Sequence, residues 1–93
     1  MLNVLFATSE ASPFIQTGGL AEVCGSLPKS LARLGCELRL VLPAYGAVKS
    51  ALPDAVERRT LTVPGYAEPC RVLGVPLEPR LELWLIDCPP LFD

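Results

Sequence analysis

Long apolar runs, clustered charge and the common nucleotide-binding fingerprints are all missing from this sequence. No stretch approaches the ~18 apolar residues of a membrane-spanning helix, and the chain is expected to make no membrane contact. Lys and Arg are scattered, Arg58-Arg59 being merely a pair, and a net charge of −2 with a pI of about 5.0 argues against a nucleic-acid partner. Cys24, Cys36, Cys70 and Cys88 lack the CxxC spacing of zinc sites, so no metal site is expected. Neither GxGxxG nor GxxxxGK[ST] occurs, which weakens a nicotinamide, flavin or P-loop reading. Internal repeats, low-complexity tracts and long linkers are absent as well.

What is present is a chain able to fold. Its 93 residues are 51% hydrophobic and only 19% charged, enough apolar surface for one domain at most. The apolar N-terminus lacks a basic n-region, is interrupted by Glu10 and is followed by no small-residue cleavage site. A cytoplasmic protein is expected, with thiols reduced and used in packing, although four cysteines allow disulfides in principle.

The first half reads as strand, turn, helix and strand. Val4, Leu5, Phe6 and Ala7 form a continuous apolar run, which predicts a central parallel strand covered on both faces. Leu20, Val23, Cys24, Leu27, Leu31 and Leu34 then follow helical spacing and predict the buried stripe of an amphipathic helix, with Glu22, Ser26, Lys29 and Arg33 opposite. Pro28 falls within that stripe and predicts one bent helix, or two short ones. Gly35 suits a left-handed C-cap. Leu38, Leu40, Val41 and Leu42, closed by Pro43, complete a βαβ unit.

The second half reads as β-rich. After a short helix over 47–52, strands are predicted over 59–63, 70–75 and 81–86. In the last of these Leu81, Leu83 and Leu85 alternate with Glu82 and Trp84, so one face is expected to be more exposed. Trp84 is read as packing in preference to sugar stacking.

The chemistry-bearing feature is the pair Gly18-Gly19, placed where the first strand hands over to the helix. Ligands of open α/β sheets bind outside the carboxyl ends of the strands. Glycines there let backbone approach a ligand, and the helix N-terminus favours anions. A tight turn with no ligand is the other reading of the same pair.

The run Ser9-Glu10-Ala11-Ser12-Pro13-Phe14-Ile15-Gln16-Thr17-Gly18-Gly19-Leu20-Ala21-Glu22-Val23, then Gly25-Ser26-Leu27-Pro28-Lys29 and Leu42-Pro43-Ala44-Tyr45-Gly46, resembles the N-terminus of bacterial glycogen synthases and plant starch synthases. Asp87-Cys88-Pro89-Pro90-Leu91-Phe92-Asp93 also looks like a stretch of that family. The resemblance implies an α/β fold, the Rossmann-like N-terminal part of a GT-B glycosyltransferase. It also implies transfer of glucose from ADP-glucose, with retention, to the non-reducing end of an α-1,4-glucan, without metal or cofactor.

Carried onto this sequence, the resemblance makes Thr17, Gly18 and Gly19 the donor-binding turn beside the diphosphate. Gln16 stands where the family usually has lysine, and Glu10 matches an acidic position facing the cleft. Glu22 stands where aspartate is commonest, and complementing the helix dipole is its simpler role. No catalytic residue is assigned within the segment. Family members are several times longer, so residues 1–93 are expected to form part of the N-terminal domain, with the C-terminal domain absent. The family's important histidine lies beyond the matched stretch, and this chain has none, so the segment alone is expected to be inactive. A non-catalytic nucleotide-sugar-binding or interaction module with a degenerate donor site remains the alternative.

Overall fold

The computed structural model describes residues 2–16, 18–65 and 68–88. In chain order the elements are β1 (Asn3–Ala7), α1 (Gly19–Arg33), β2 (Glu37–Pro43), α2 (Gly46–Ala51), β3 (Val56–Leu61), β4 (Cys70–Glu78) and β5 (Leu81–Asp87). The strands form one sheet in the order β1-β2-β5-β4-β3.

β1, β2 and β5 run parallel, with Leu5 opposite Arg39 and Leu40 opposite Leu83. β4 and β3 join antiparallel, so the α/β expectation holds but the sheet is mixed and not parallel throughout. The cause is local: only Pro79 and Arg80 separate β4 from β5, with Arg80 at φ 66°, and a two-residue connection permits only antiparallel pairing.

Strand periodicity places the core. Leu38, Leu40 and Leu42 of β2 and Leu81, Leu83 and Leu85 of β5 alternate onto one face and are almost wholly buried. Each such leucine contributes about 1.5–3 kcal/mol relative to exposure. Val4, Phe6, Leu73 and Val75 extend this layer on the flanking strands, and Val48 of α2 and Ala32 and Cys24 of α1 cover it.

α1 runs as one helix through Pro28, and its end is well specified. Gly35 has φ 103°; its N–H bonds to the Ala32 carbonyl at 3.0 Å, while the Cys36 N–H bonds to the Leu31 carbonyl at 3.1 Å. That is a Schellman closure, as the glycine predicted. The buried face differs from the predicted stripe. Ala21, Cys24, Pro28 and Ala32 are buried, whereas Leu20, Val23, Leu27 and Leu34 are exposed, Leu34 by 82%. Small side chains line the contact because they let helix and sheet approach closely, which large ones on the same face would prevent.

β1 also departs from expectation, since it lies at the sheet edge among the described residues. Val4 and Phe6 face the core while Leu5 is 66% exposed, so its apolar run is covered on one side only. α2 and β3 begin earlier than predicted, and β4 and β5 extend further. No helix among the described residues is long and apolar enough to cross a membrane.

Candidate functional site

The loop between β1 and α1 leaves the carboxyl end of the parallel strands. Its first residue stays on the ladder, the Thr8 N–H bonding to the Val41 carbonyl at 3.0 Å. The Thr8 hydroxyl donates to the Glu10 carbonyl at 3.0 Å and accepts the Glu10 N–H at 3.4 Å, fixing the turn that presents Glu10. Ala11 and Ile15 then exchange backbone hydrogen bonds of 3.1 and 3.0 Å around a buried Ala11.

This loop rests directly on α1. The Ser12 N–H donates to the Ala21 carbonyl at 2.8 Å, and a Cβ at Gly25 would lie 2.5 Å from the Ser12 carbonyl oxygen. Gly25 is thus a packing glycine, required where loop backbone meets helix. Gly18 and Gly19 are different. Gly18 is extended, with φ −172°, and among the described residues a Cβ there would meet only Glu10 Oε1, at 3.9 Å, while one at Gly19 would meet none within 4 Å. Packing among the described residues does not explain the pair.

α1 begins at this open turn. Its N-cap is Gly18, which brings no side-chain cap, and its first-turn N–H groups carry the partial positive charge of a helix start. Glu22 lies in that first turn and is exposed, in keeping with a role toward the dipole.

The predicted site residues divide. Half-buried Glu10 comes together with Gly18 and the helix start. Gln16 is engaged elsewhere: its Oε1 accepts from the Ser12 hydroxyl at 2.8 Å, and it lines a cavity of about 670 Å³ with Ser12, Glu22, Ser26 and Lys29. Glu10, Gly18 and Gly19 do not line that cavity. Thr17 lies outside the described residues.

One charged cluster was missed by the sequence reading. Asp87, ending β5, is only 1% exposed; Lys49 of α2 reaches its Oδ1 at 3.0 Å, and Arg71 of β4 hydrogen bonds to its Oδ2. Burial pushes this carboxyl upward, yet hydrogen bonds from Lys49 and Arg71 and their charges outweigh it and hold Asp87 below the ordinary carboxylate value. The same contact raises Arg71, whose outer side also meets Glu57 at 3.5 Å. An aspartate closing an apolar strand was the available signal. Trp84 is half-buried on the face opposite the core leucines, with the Arg39 guanidinium 5.6 Å from its ring centroid and its Nε1–H donating to Glu82 at 2.7 Å.

A mixed α/β sheet with a glycine turn at the carboxyl end of its parallel strands defines a class, and comparison with known proteins narrows it. Residues 3–93 match the family described as starch synthase catalytic domain, and the chain belongs to that family. It is 50% identical over 94 residues to glycogen synthase 2 of Nitrosococcus oceani, covering 100% of this chain and 19% of that protein. It is 42% identical over 92 residues to glycogen synthase of Dechloromonas aromatica, covering 99% and 19%. The chain thus spans about 19% of the length of the curated relatives it matches. A solved structure, the catalytic domain of starch synthase IV from Arabidopsis thaliana bound to ADP and acarbose, superposes with a TM-score of 0.59 at 24% identity, covering 91% of this chain and 18% of that one. The fold is shared with the matched part of that domain, and the family resemblance read from residues 9–29 and 42–46 is borne out.

Proposed function

We propose that this chain is the N-terminal part of a glycosyltransferase of GT-B architecture, acting in the cytoplasm. The complete protein transfers glucose from ADP-glucose to the non-reducing end of an α-1,4-glucan with retention, using neither metal nor cofactor. Residues outside this segment complete the cleft and perform the chemistry.

The observation that carries this reading is the open glycine pair at an uncapped helix start, where two Cβ atoms that packing would tolerate are nonetheless missing. In this reading Thr17, Gly18 and Gly19 let the donor diphosphate approach the first N–H groups of α1, which stabilise the leaving diphosphate as charge develops. Gln16 offers two amide protons in place of a lysine charge. Glu10, an acceptor-only carboxylate, suits sugar hydroxyls better than phosphate oxygens.

The test is transfer of labelled glucose from ADP-glucose onto glycogen by the complete protein, with residues 1–93 assayed in parallel. Label incorporated by the complete protein alone is the expected result. No incorporation by either sample overturns the transferase reading.

A further inference from the structure

Two of the four cysteines are brought together by strand register. Arg71 of β4 stands opposite Asp87 of β5, the last pair of that antiparallel ladder, and continuing its register one step past the end of β5 brings Cys70 and Cys88 face to face. Both are free and buried, 5% and 2% exposed, and the Cys70 thiol is near enough to raise the pKa of Cys88. Cys24 and Cys36 stand apart from this pair, on α1 and between α1 and β2.

We propose that Cys70 and Cys88 are a cross-strand oxidation site that closes to a disulfide when the protein meets a hydroperoxide. Directly opposed positions of antiparallel strands have Cβ atoms about 4.5–5.5 Å apart, and a small adjustment brings them to disulfide distance. The Cys70 contact and burial both raise the Cys88 thiol above its ordinary value, so Cys88 is assigned the second, resolving step. In the first step Cys70 attacks the peroxide, the O–O bond breaks, and sulfenic acid and an alcohol, or water, form. In the second the Cys88 sulfur displaces hydroxide from the sulfenic acid; its thiol proton completes a water molecule, and the S–S bond forms. Two electrons pass from the thiols to the peroxide.

Strand ends fray before strand centres, which admits a small oxidant to an otherwise buried pair. Cys88 follows the carboxyl end of β5, on the same end of the sheet as the glycine turn, and adjoins the Asp87 cluster. The disulfide clamps the chain where it leaves the sheet on its ligand-binding side.

The complete protein is treated with hydrogen peroxide, blocked with N-ethylmaleimide under denaturing conditions, cut with trypsin and weighed. The peptide Thr60–Arg71 is expected joined to the peptide beginning at Leu81, two hydrogens lighter than their sum and separated by dithiothreitol, with Cys24 and Cys36 alkylated. The same link is expected in Cys36→Ser. Alkylation of both Cys70 and Cys88, their conversion to sulfinic acids without a link, or linkage of either to Cys24 or Cys36 overturns the proposal.

Discussion

Lys49 Nζ lies 3.0 Å from Asp87 Oδ1, so a lysine on a six-residue helix helps satisfy the one charged side chain buried among the described residues. Arg71 holds the other oxygen. The pairing ties α2 and β4 to the end of β5.

Because Asp87 is held below its unfolded value, it binds a proton less readily when folded than when unfolded. Its contribution is therefore present above about pH 3.9 and lost as pH falls through the folded value. Asp87→Asn is expected to flatten the acid limb of a stability–pH curve measured by urea unfolding between pH 2 and 7. An unchanged limb would show that the carboxylate is not tied to folding.

Removing one cation leaves the buried carboxylate with its other partner. Lys49 is 32% and Arg71 51% exposed, so solvent screens both, and Lys49→Met should cost about 1–2 kcal/mol, below the 3–5 typical of a fully buried pair. The shift in urea midpoint at pH 7 measures it.

The glycines separate stability from binding. Gly25→Ala forces a methyl against the Ser12 backbone and should destabilise by about 1–3 kcal/mol. Gly19→Ala meets nothing and should leave the thermal midpoint unchanged or slightly raised, while weakening ADP-glucose binding by the complete protein. A Gly19→Ala protein that binds the donor normally would return the pair to an ordinary turn.

Gln16→Lys replaces a neutral donor with a charged one. Charge-assisted hydrogen bonds contribute about 1.5–3 kcal/mol against about 0.5–1.5 for neutral ones, so donor affinity should rise roughly five- to thirty-fold. The substitution also breaks the Ser12–Gln16 bond, which is exposed and inexpensive to lose. Calorimetric titration of ADP-glucose into the complete protein decides; an unchanged Kd would place residue 16 away from the phosphates.

The α1 contact face predicts an inverted hydrophobic order. Ala32→Leu should cost about 1–3 kcal/mol by overpacking, while Leu34→Ser should stay within about 0.5 kcal/mol. The reverse order in urea midpoints would mean that Leu34, and not Ala32, faces the sheet.

That inversion marks the limit of what was legible. The βαβ unit, the Gly35 closure and the alternating leucines of β5 follow from local rules acting over a few residues, and all were readable. Which face α1 buries depends on the closeness of helix and sheet, and a hydrophobicity stripe ranks Leu20 and Leu27 above Ala21 and Ala32 although fit selects the alanines. The edge position of β1 depends on pairings remote in sequence, which its own apolar run cannot specify. At the site, the open turn at Gly18 and Gly19 was anticipated. The Ser12–Gln16 bond and the convergence of Lys49, Arg71 and Asp87 were not, because each joins residues that only the folded chain brings together.

Strand order also sets a timetable. Among the described residues β5 stands in the middle of the sheet although it is the last strand in chain order, with β1 and β2 on one side and β4 and β3 on the other. Before Leu81–Asp87 emerge from the ribosome, a growing chain holds two separate half-sheets with unpaired inner edges. The leucines of β5 then join them in one long-range step, so closure of this core waits on β5.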